Sequence, residues 1–391
     1  MRRRRSTASE TADLLLTTLR LHADVDVGAL RKRWAASSLA GLATLTEYEG
    51  CVLWLHQRLK ELRIFDAVPA AFAEWLSQRA HFLVARNLLV DAQRDDLVQI
   101  LNELRVPHVL LKGSARRLIA DRYPYADARS TSDVDVLLPG STALPTWQCL
   151  RAAGFEPASA SPTTYDGHFH LPPLRNGRAV AVELHTSTST FVPAPVAWTR
   201  FAGTAQAATC AGGPTRIPGA TELLWHAITH APLPHPFAFR MRLFQDAAVV
   251  CAAGAEVDWG EIAMRLTTDE LPHRALARRW LGTAVQLGAL PDAASPLRPL
   301  PTPDLSKILT WRLGVCRLLD TRGLRPPRPV WGRHPVSRVR RLLLDQAARV
   351  ELKLPSTLSP PGTPSARRIG RGVAAGAARV CYQAWRLFSH P

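Results

Sequence analysis

Asp133 and Asp135 lie two residues apart in the run Asp133-Val134-Asp135-Val136-Leu137-Leu138. A strand turns successive side chains to opposite faces, so residues i and i+2 share a face. Val134 and Val136 then enter a core, and the two carboxylates leave it together. Acids held side by side repel, which raises at least one pKa unless a cation lies between them. A strand that carries this cost points to a divalent metal. Upstream, the apolar run Val109, Leu110 and Leu111 leads into Lys112-Gly113-Ser114. The stretch from Leu110 to Leu138 therefore reads as strand, short helix, loop and strand.

Glycine lets a backbone approach a phosphate closely. Free N–H groups at the start of the following helix face such an anion, and the Ser114 hydroxyl can donate a further bond. Gly113-Ser114 alone is a weak signal, but two acids about twenty residues later strengthen it. A third acid lies in Ala179-Val180-Ala181-Val182-Glu183-Leu184-His185, where Val180, Val182 and Leu184 take one face and Ala181, Glu183 and His185 the other. Three carboxylates on neighbouring strands make a hard oxygen site suited to Mg²⁺. Two such ions can hold a triphosphate and polarise an attacking hydroxyl. Asp133, Asp135 and Glu183 are thus the candidate metal ligands and catalytic acids, with Glu183 ligating an ion or acting as base.

The segments LNELRVPHVLLKGSA, YPYADARSTSDVDVLL, LRAAGFEP, HFHLPPL, VAVELH, LLWHAITHA and RMRLFQDAAVV follow one another between Leu101 and about Trp259. In that order and spacing they resemble the uncharacterised nucleotidyltransferase family of the polymerase-beta-like superfamily. The resemblance implies that Gly113 and Ser114 hold nucleotide phosphate. It implies that Asp133 and Asp135 bind metal and that Glu183 is the third acid. An arginine commonly stands where Arg129 does in this family. Its guanidinium can reach a phosphate oxygen, or it pairs with Asp121 or Asp127.

The remaining polar residues divide less sharply. Lys112 ends the first strand, as a nucleotide contact or a solvated strand end. Arg116 and Arg117 are expected on a helix surface. His185 shares the face of Glu183 and suits a supporting or substrate role. His226 and His230 stand at i and i+4, a spacing that can bind zinc, but without an evident third ligand they read as packing residues. His168 and His170 read as structural or as part of a substrate loop. Asp246 either supports the site or pairs with Arg242, four residues earlier.

The fold class expected is α+β, a small mixed-sheet core flanked by helical regions. Residues 1–105 read as a basic tail and helical subdomain, with Pro69 breaking the middle. Residues 106–200 form the catalytic core, with strands at 108–112, 133–138 and 179–185 and a helix from Ser141 to Ala153 capped by Gly154. Residues 201–320 read as a helical domain behind a linker at 202–219. Thr221 is expected to cap one of its helices, and Asp258-Trp259-Gly260-Glu261 to open another. Residues 321–391 form a basic, Pro-rich tail with linkers at 323–336 and 355–364 and a possible amphipathic helix at 371–388.

Hydrophobic residues make up 47% of the chain, enough for a real core. No run of about twenty apolar residues occurs, so no membrane span is expected. No signal-peptide pattern is present either, and the expected location is cytoplasmic. The six cysteines, Cys51, Cys149, Cys210, Cys251, Cys316 and Cys381, lack any CxxC spacing, which argues against a zinc knuckle or a disulfide framework. Net charge is +17, and from Cys316 to Pro391 fifteen Arg/Lys stand against three Asp/Glu. Such a field attracts polyanions, although an Arg-, Ala- and Pro-rich composition produces the same excess without any binding role. Trp331, Arg333, Arg338, Arg340, Arg341, Trp385 and Arg386 can bind nucleic acid by charge and stacking, a weakly supported partner.

The reading that unites these features is an enzyme that is Mg²⁺-dependent and ATP- or other NTP-binding. It moves an NMP to a hydroxyl-type acceptor on a small molecule, peptide or protein and releases pyrophosphate. The alternatives are a non-catalytic nucleotide- or nucleic-acid-binding protein on the same fold, and an RNA-directed transferase using the basic C-terminal region.

Overall fold

The computed structural model describes residues 7–21, 25–119, 128–157, 168–178, 180–189, 192–230, 240–252, 257–268, 274–287, 294, 297 and 304–321. The expected linkers at 323–336 and 355–364, the helix at 371–388, the arginines at 2–5, Asp121 and Asp127 lie outside the described residues.

Four short helices open the chain: α1 (Ala8–Leu19), α2 (Val27–Ala36), α3 (Leu42–Glu49) and α4 (Val52–Glu61). Thr7 and Glu10 start α1 with a reciprocal capping box, which satisfies two otherwise orphaned backbone donors. Pro69 then caps the 34-residue α5 (Ala70–Glu103), about 50 Å long at 1.5 Å per residue. The buried residues Phe72, Leu76, Ala80, Asn87, Val90, Arg94, Leu97 and Leu101 of α5 follow helical spacing. Asn87 and Arg94 interrupt the apolar stripe because they hold other parts of the fold.

The sheet follows: β1 (Val109–Leu110), the short α6 (Lys112–Arg116), β2 (Asp133–Leu137), α7 (Gly140–Ala152), β3 (Glu156–Pro157), β4 (Leu174–Arg175) and β5 (Ala181–His185). Gly154 adopts φ +90° just after α7, the left-handed C-terminal stop expected of it. Strand order is β1-β2-β5-β4-β3. Among the described residues only β2 and β5 pair in parallel, in the register Asp133↔Ala181, Asp135↔Glu183 and Leu137↔His185. This small mixed sheet among helices is the α+β architecture the sequence implies.

Alternation along the strands separates two packed faces. Val134, Val136, Val182 and Leu184 join the main core. Leu137 turns the other way and packs with Val109, Leu111 and Phe201 of α8 (Ala194–Gly203). That second face is covered at the ends of β2 and β5 and more open at their beginnings, where Asp133, Ala181 and Glu183 are half-buried.

Residues 202–219 do not form a linker. They fold as a hairpin, β6 (Gln206–Cys210) and β7 (Gly213–Ile217), with Cys210 opposite Gly213. Gly212 is required there, since a Cβ would lie 2.0 Å from the Asp95 carbonyl oxygen on α5. Thr215 on β7 also bonds His108 Nε2 at 3.0 Å. The hairpin thus ties the start of the sheet to the long helix.

Helices α9 (Ala220–His230), α10 (Met241–Ala252), α11 (Trp259–Thr267), α12 (Arg274–Gln286) and α13 (Leu305–Thr321) complete the described chain. Thr221 lies inside α9 rather than capping it, and its hydroxyl accepts the Asp258 N–H. Asp258 caps α11 as expected, accepting from Glu261 N at 2.8 Å. Glu49 of α3 accepts from Arg312 of α13 at 2.7 Å and from the Met241 N–H of α10 at 3.0 Å. One apolar core cluster contains residues from α1 through α13. Among the described residues, no helix is long and apolar enough to cross a membrane. Cys51, Cys149, Cys210 and Cys316 are free thiols.

Candidate active site

The β1–α6 turn is built around two unusual backbone positions. Lys112 adopts φ +46°, a left-handed conformation that lysine seldom takes. Gly113 has no room for a side chain, because a Cβ would meet Arg129 Nη1 and Thr131 Cγ2 at 2.5 Å. Ser114 is 1% exposed, and its Oγ has no hydrogen-bond partner. The turn therefore packs directly against the residues that lead into β2.

Those residues are held by Asn87 of α5. Its Nδ2 donates to the Arg129 carbonyl and its Oδ1 accepts from the Thr131 N–H, both at 2.9 Å. The amide acts as a short imitation strand that fixes the entry to Asp133.

Asp135 and Glu183 face each other across β2 and β5. Lys112 Nζ lies 2.6 Å from Asp135 Oδ1 and 3.8 Å from Glu183 Oε2. His185 Nε2 is 2.8 Å from the same Asp135 oxygen and 3.5 Å from Glu183 Oε2. Among the described residues, Asp135, Glu183 and His185 are the one group of three whose ligand atoms all lie within 4.8 Å of one another. Asp133 is on the same face, one strand repeat earlier. The structure thus brings Lys112, Asp135, Glu183 and His185 into contact, and sets Asp133 beside them.

Burial would raise the Asp135 pKa, but Lys112 and His185 outweigh it and hold the carboxylate well below its usual range. Burial also opposes ionisation of Glu183, yet the His185 hydrogen bond and Lys112 keep its pKa low. For Asp133 the balance goes the other way: burial, then the charge on Asp135, push it up to about 6 despite the opposing pull of Lys112 and Arg242. The lysine resists its own burial through the surrounding carboxylates, and its pKa is raised. Fully buried Asp135 Oδ2 has no hydrogen-bond partner. This donor set fits a divalent cation.

Arg129 does not reach into this site. It is 7% exposed and forks onto Asp246 of α10, with Nε to Oδ1 at 2.6 Å and Nη2 to Oδ2 at 3.2 Å. Arg116 shares that carboxylate, with Nη1 to Oδ2 at 2.8 Å. Burial works against the charge on Asp246, but the two arginines lower its pKa. Arg116 and Arg117 are therefore not on a helix surface: Arg116 is buried, and Arg117 pairs with Asp91 of α5.

The histidines gather on one flank. His170 bridges the backbone of His185, and their rings are 5.2 Å apart. Phe169 stacks on His185 at 5.6 Å, and His168 lies 4.3 Å from His170. His226 and His230 of α9 are 5.2 Å apart, with Phe201 edge-on to His226. Burial, then Lys112, hold both α9 histidines well below the usual imidazole pKa.

Sequence reasoning missed Asn87, the inward turn of Lys112 and the Arg116–Asp246–Arg129 cluster. The one signal available was the polar break in the apolar stripe of α5.

A family model described as uncharacterised nucleotidyltransferase matches residues 38–281, more than half of the chain, and agrees with the resemblance noted above. Neither the curated proteins nor the solved structures contain a match. The chain belongs to the uncharacterised nucleotidyltransferase family, and it is an enzyme that uses a nucleoside triphosphate.

Proposed function

We propose that the protein transfers an NMP from an NTP to a hydroxyl on a small molecule, peptide or protein and releases pyrophosphate. The observation that carries this reading is the register of β2 against β5. It sets Asp135 opposite Glu183, with the Gly113-Ser114 turn alongside.

In this reading Asp133, Asp135 and Glu183 hold Mg²⁺, with two ions as the expected complement. When bound, the ions neutralise charge on the α-phosphate and on the departing pyrophosphate. Gly113, which lacks a Cβ, lets the turn pack against Arg129 and Thr131, and its backbone N–H is offered to a phosphate. Ser114 Oγ, buried and without a partner, donates to a phosphate oxygen. Lys112 supplies a positive charge between the acids and the incoming polyphosphate. The acceptor oxygen bonds to the α-phosphorus as the bond to the β-phosphate oxygen breaks, and Glu183 is placed to take the hydroxyl proton. Catalysis is then largely positioning and electrostatics. Residues 106–200 supply the reacting groups, and the helices of 201–320 wall the acceptor side. Arg129 has a structural place in this scheme.

Each labelled NTP is incubated with divalent metal and candidate acceptors, and pyrophosphate release is followed. Asp133→Ala combined with Asp135→Ala is expected to abolish release. Equal NTP–metal binding by wild type and double variant would refute the metal site. NTP binding without turnover across all acceptors would instead favour a non-catalytic binder.

A further inference from the structure

We infer that the His185 imidazole is itself a metal ligand beside Asp135 and Glu183, and that this position selects Mn²⁺ over Mg²⁺. The inference rests on the metal-site reading above and changes the donor set of one ion. Mg²⁺ is the ion most confined to oxygen donors, so an imidazole in the set weakens Mg²⁺ more than it weakens Mn²⁺, the softer ion of similar coordination.

The geometry supports a shared ion. Ligands about 2.1 Å from a metal stand about 3 Å apart at right angles. His185 Nε2 lies 2.8 Å from Asp135 Oδ1 and 3.5 Å from Glu183 Oε2. All three groups already fall within 4.8 Å, so little rearrangement is needed. By contrast, Asp133 stands one strand repeat away, about 7 Å along β2.

Two further observations point to a ligand. Asp135 is fully buried, yet its Oδ2 has no hydrogen-bond partner. Leaving a charged oxygen so placed is costly unless something binds it. His185 is also fully buried, and Phe169 stacks on its ring from outside the acid cluster. Lys112 supplies the cationic charge in the metal-free protein. Its flexible four-carbon stem lets the ammonium swing from Asp135 toward a phosphate when an ion takes its place.

The test uses the full chain, stripped of metal by a chelator and titrated with Mn²⁺ alone, with Mg²⁺ as competitor. Pulsed electron paramagnetic resonance then reports any nitrogen bound to the manganese. Mn²⁺ is expected to bind at least tenfold tighter than Mg²⁺ and to show nitrogen coupling. His185→Gln should lose that coupling and most of the preference while keeping a wild-type circular dichroism spectrum. His185→Asn serves if the glutamine variant does not fold. Asp135→Asn should abolish binding of both ions. If it does not, the metal site itself is refuted. If it does, but wild type shows no nitrogen coupling or no preference for Mn²⁺, the role of His185 alone is overturned. Coupling that persists in the folded His185 variant overturns it equally.

Discussion

The Lys112 ammonium sits 2.6 Å from a carboxylate, that of Asp135, which has no exposure to solvent at all. Removing one partner of such a pair strands the other charge, typically at a cost of about 3–5 kcal/mol. Lys112 retains some exposure, which places Lys112→Met near about 3 kcal/mol in the presence of chelator. Saturating divalent metal should recover much of that loss, because bound ligand stabilises by mass action. Thermal melts with and without metal check this. A variant that melts like wild type in chelator would show that the pair carries no stability.

Asn87 offers a second handle. Its amide satisfies two buried backbone groups in the loop before Asp133. Asn87→Ala leaves both unmade, at about 1–3 kcal/mol each. Asn87→Asp retains the acceptor for Thr131 but sets a negative charge against the Arg129 carbonyl. Both variants should unfold at lower urea, and both should lose turnover more than NTP affinity, since the displaced loop leads into the proposed metal ligand Asp133. Wild-type turnover in either variant would count against a positioning role.

The Arg116–Asp246–Arg129 cluster predicts a different phenotype. Arg129→Ala should cost about 3–5 kcal/mol of stability, and its loss of activity should follow the folded fraction. A selective loss of NTP affinity at full folding would restore the phosphate-contact reading. The pKa of Asp246 is lowered in the fold from an ordinary 3.8. Its stabilisation is therefore present above about pH 4 and is lost as pH falls through the lower folded value. Asp246→Asn should flatten that acid limb while lowering stability at neutral pH, as urea unfolding across pH would show.

His226 acts at milder acidity. Both its ring nitrogens are buried without partners, and its pKa is held well below 6.5 by burial and by Lys112. The unfolded chain takes up its proton near pH 6.5 while the folded chain resists. Stability from this residue is thus present above 6.5 and falls as pH drops toward the folded value. His226→Leu should hold or raise the melting temperature at pH 7.5, and flatten its decline between pH 7 and pH 5. An unchanged slope would refute the assignment.

Much of the framework is legible from local pattern. Alternation around Asp133 and Asp135 placed both acids on one face, and Val180, Val182 and Leu184 placed Glu183 on the same side of a neighbouring strand. Gly154 marked the end of α7, and Asp258 the start of α11. What escaped depends on partners remote in sequence. Asp246 lies 117 residues from Arg129 and 130 from Arg116, and no local spacing encodes such a meeting. The β6–β7 hairpin was hidden by its small residues, although Gly212-Gly213 between two alternating runs is a recognised turn signal. Lys112 read as a nucleotide contact or a solvated strand end, because its left-handed φ has no signature in the residue type.

The parallel pairing of β2 with β5 has a consequence for how errors are policed. A slip of one residue would turn Glu183 and His185 inward and Val182 and Leu184 outward. The mispaired chain would separate Asp135 from Glu183 and His185 and bury a carboxylate among leucines and valines in the same event. Correct folding and competence for chemistry are thus secured by one alignment, so a molecule that escapes one checkpoint fails the other.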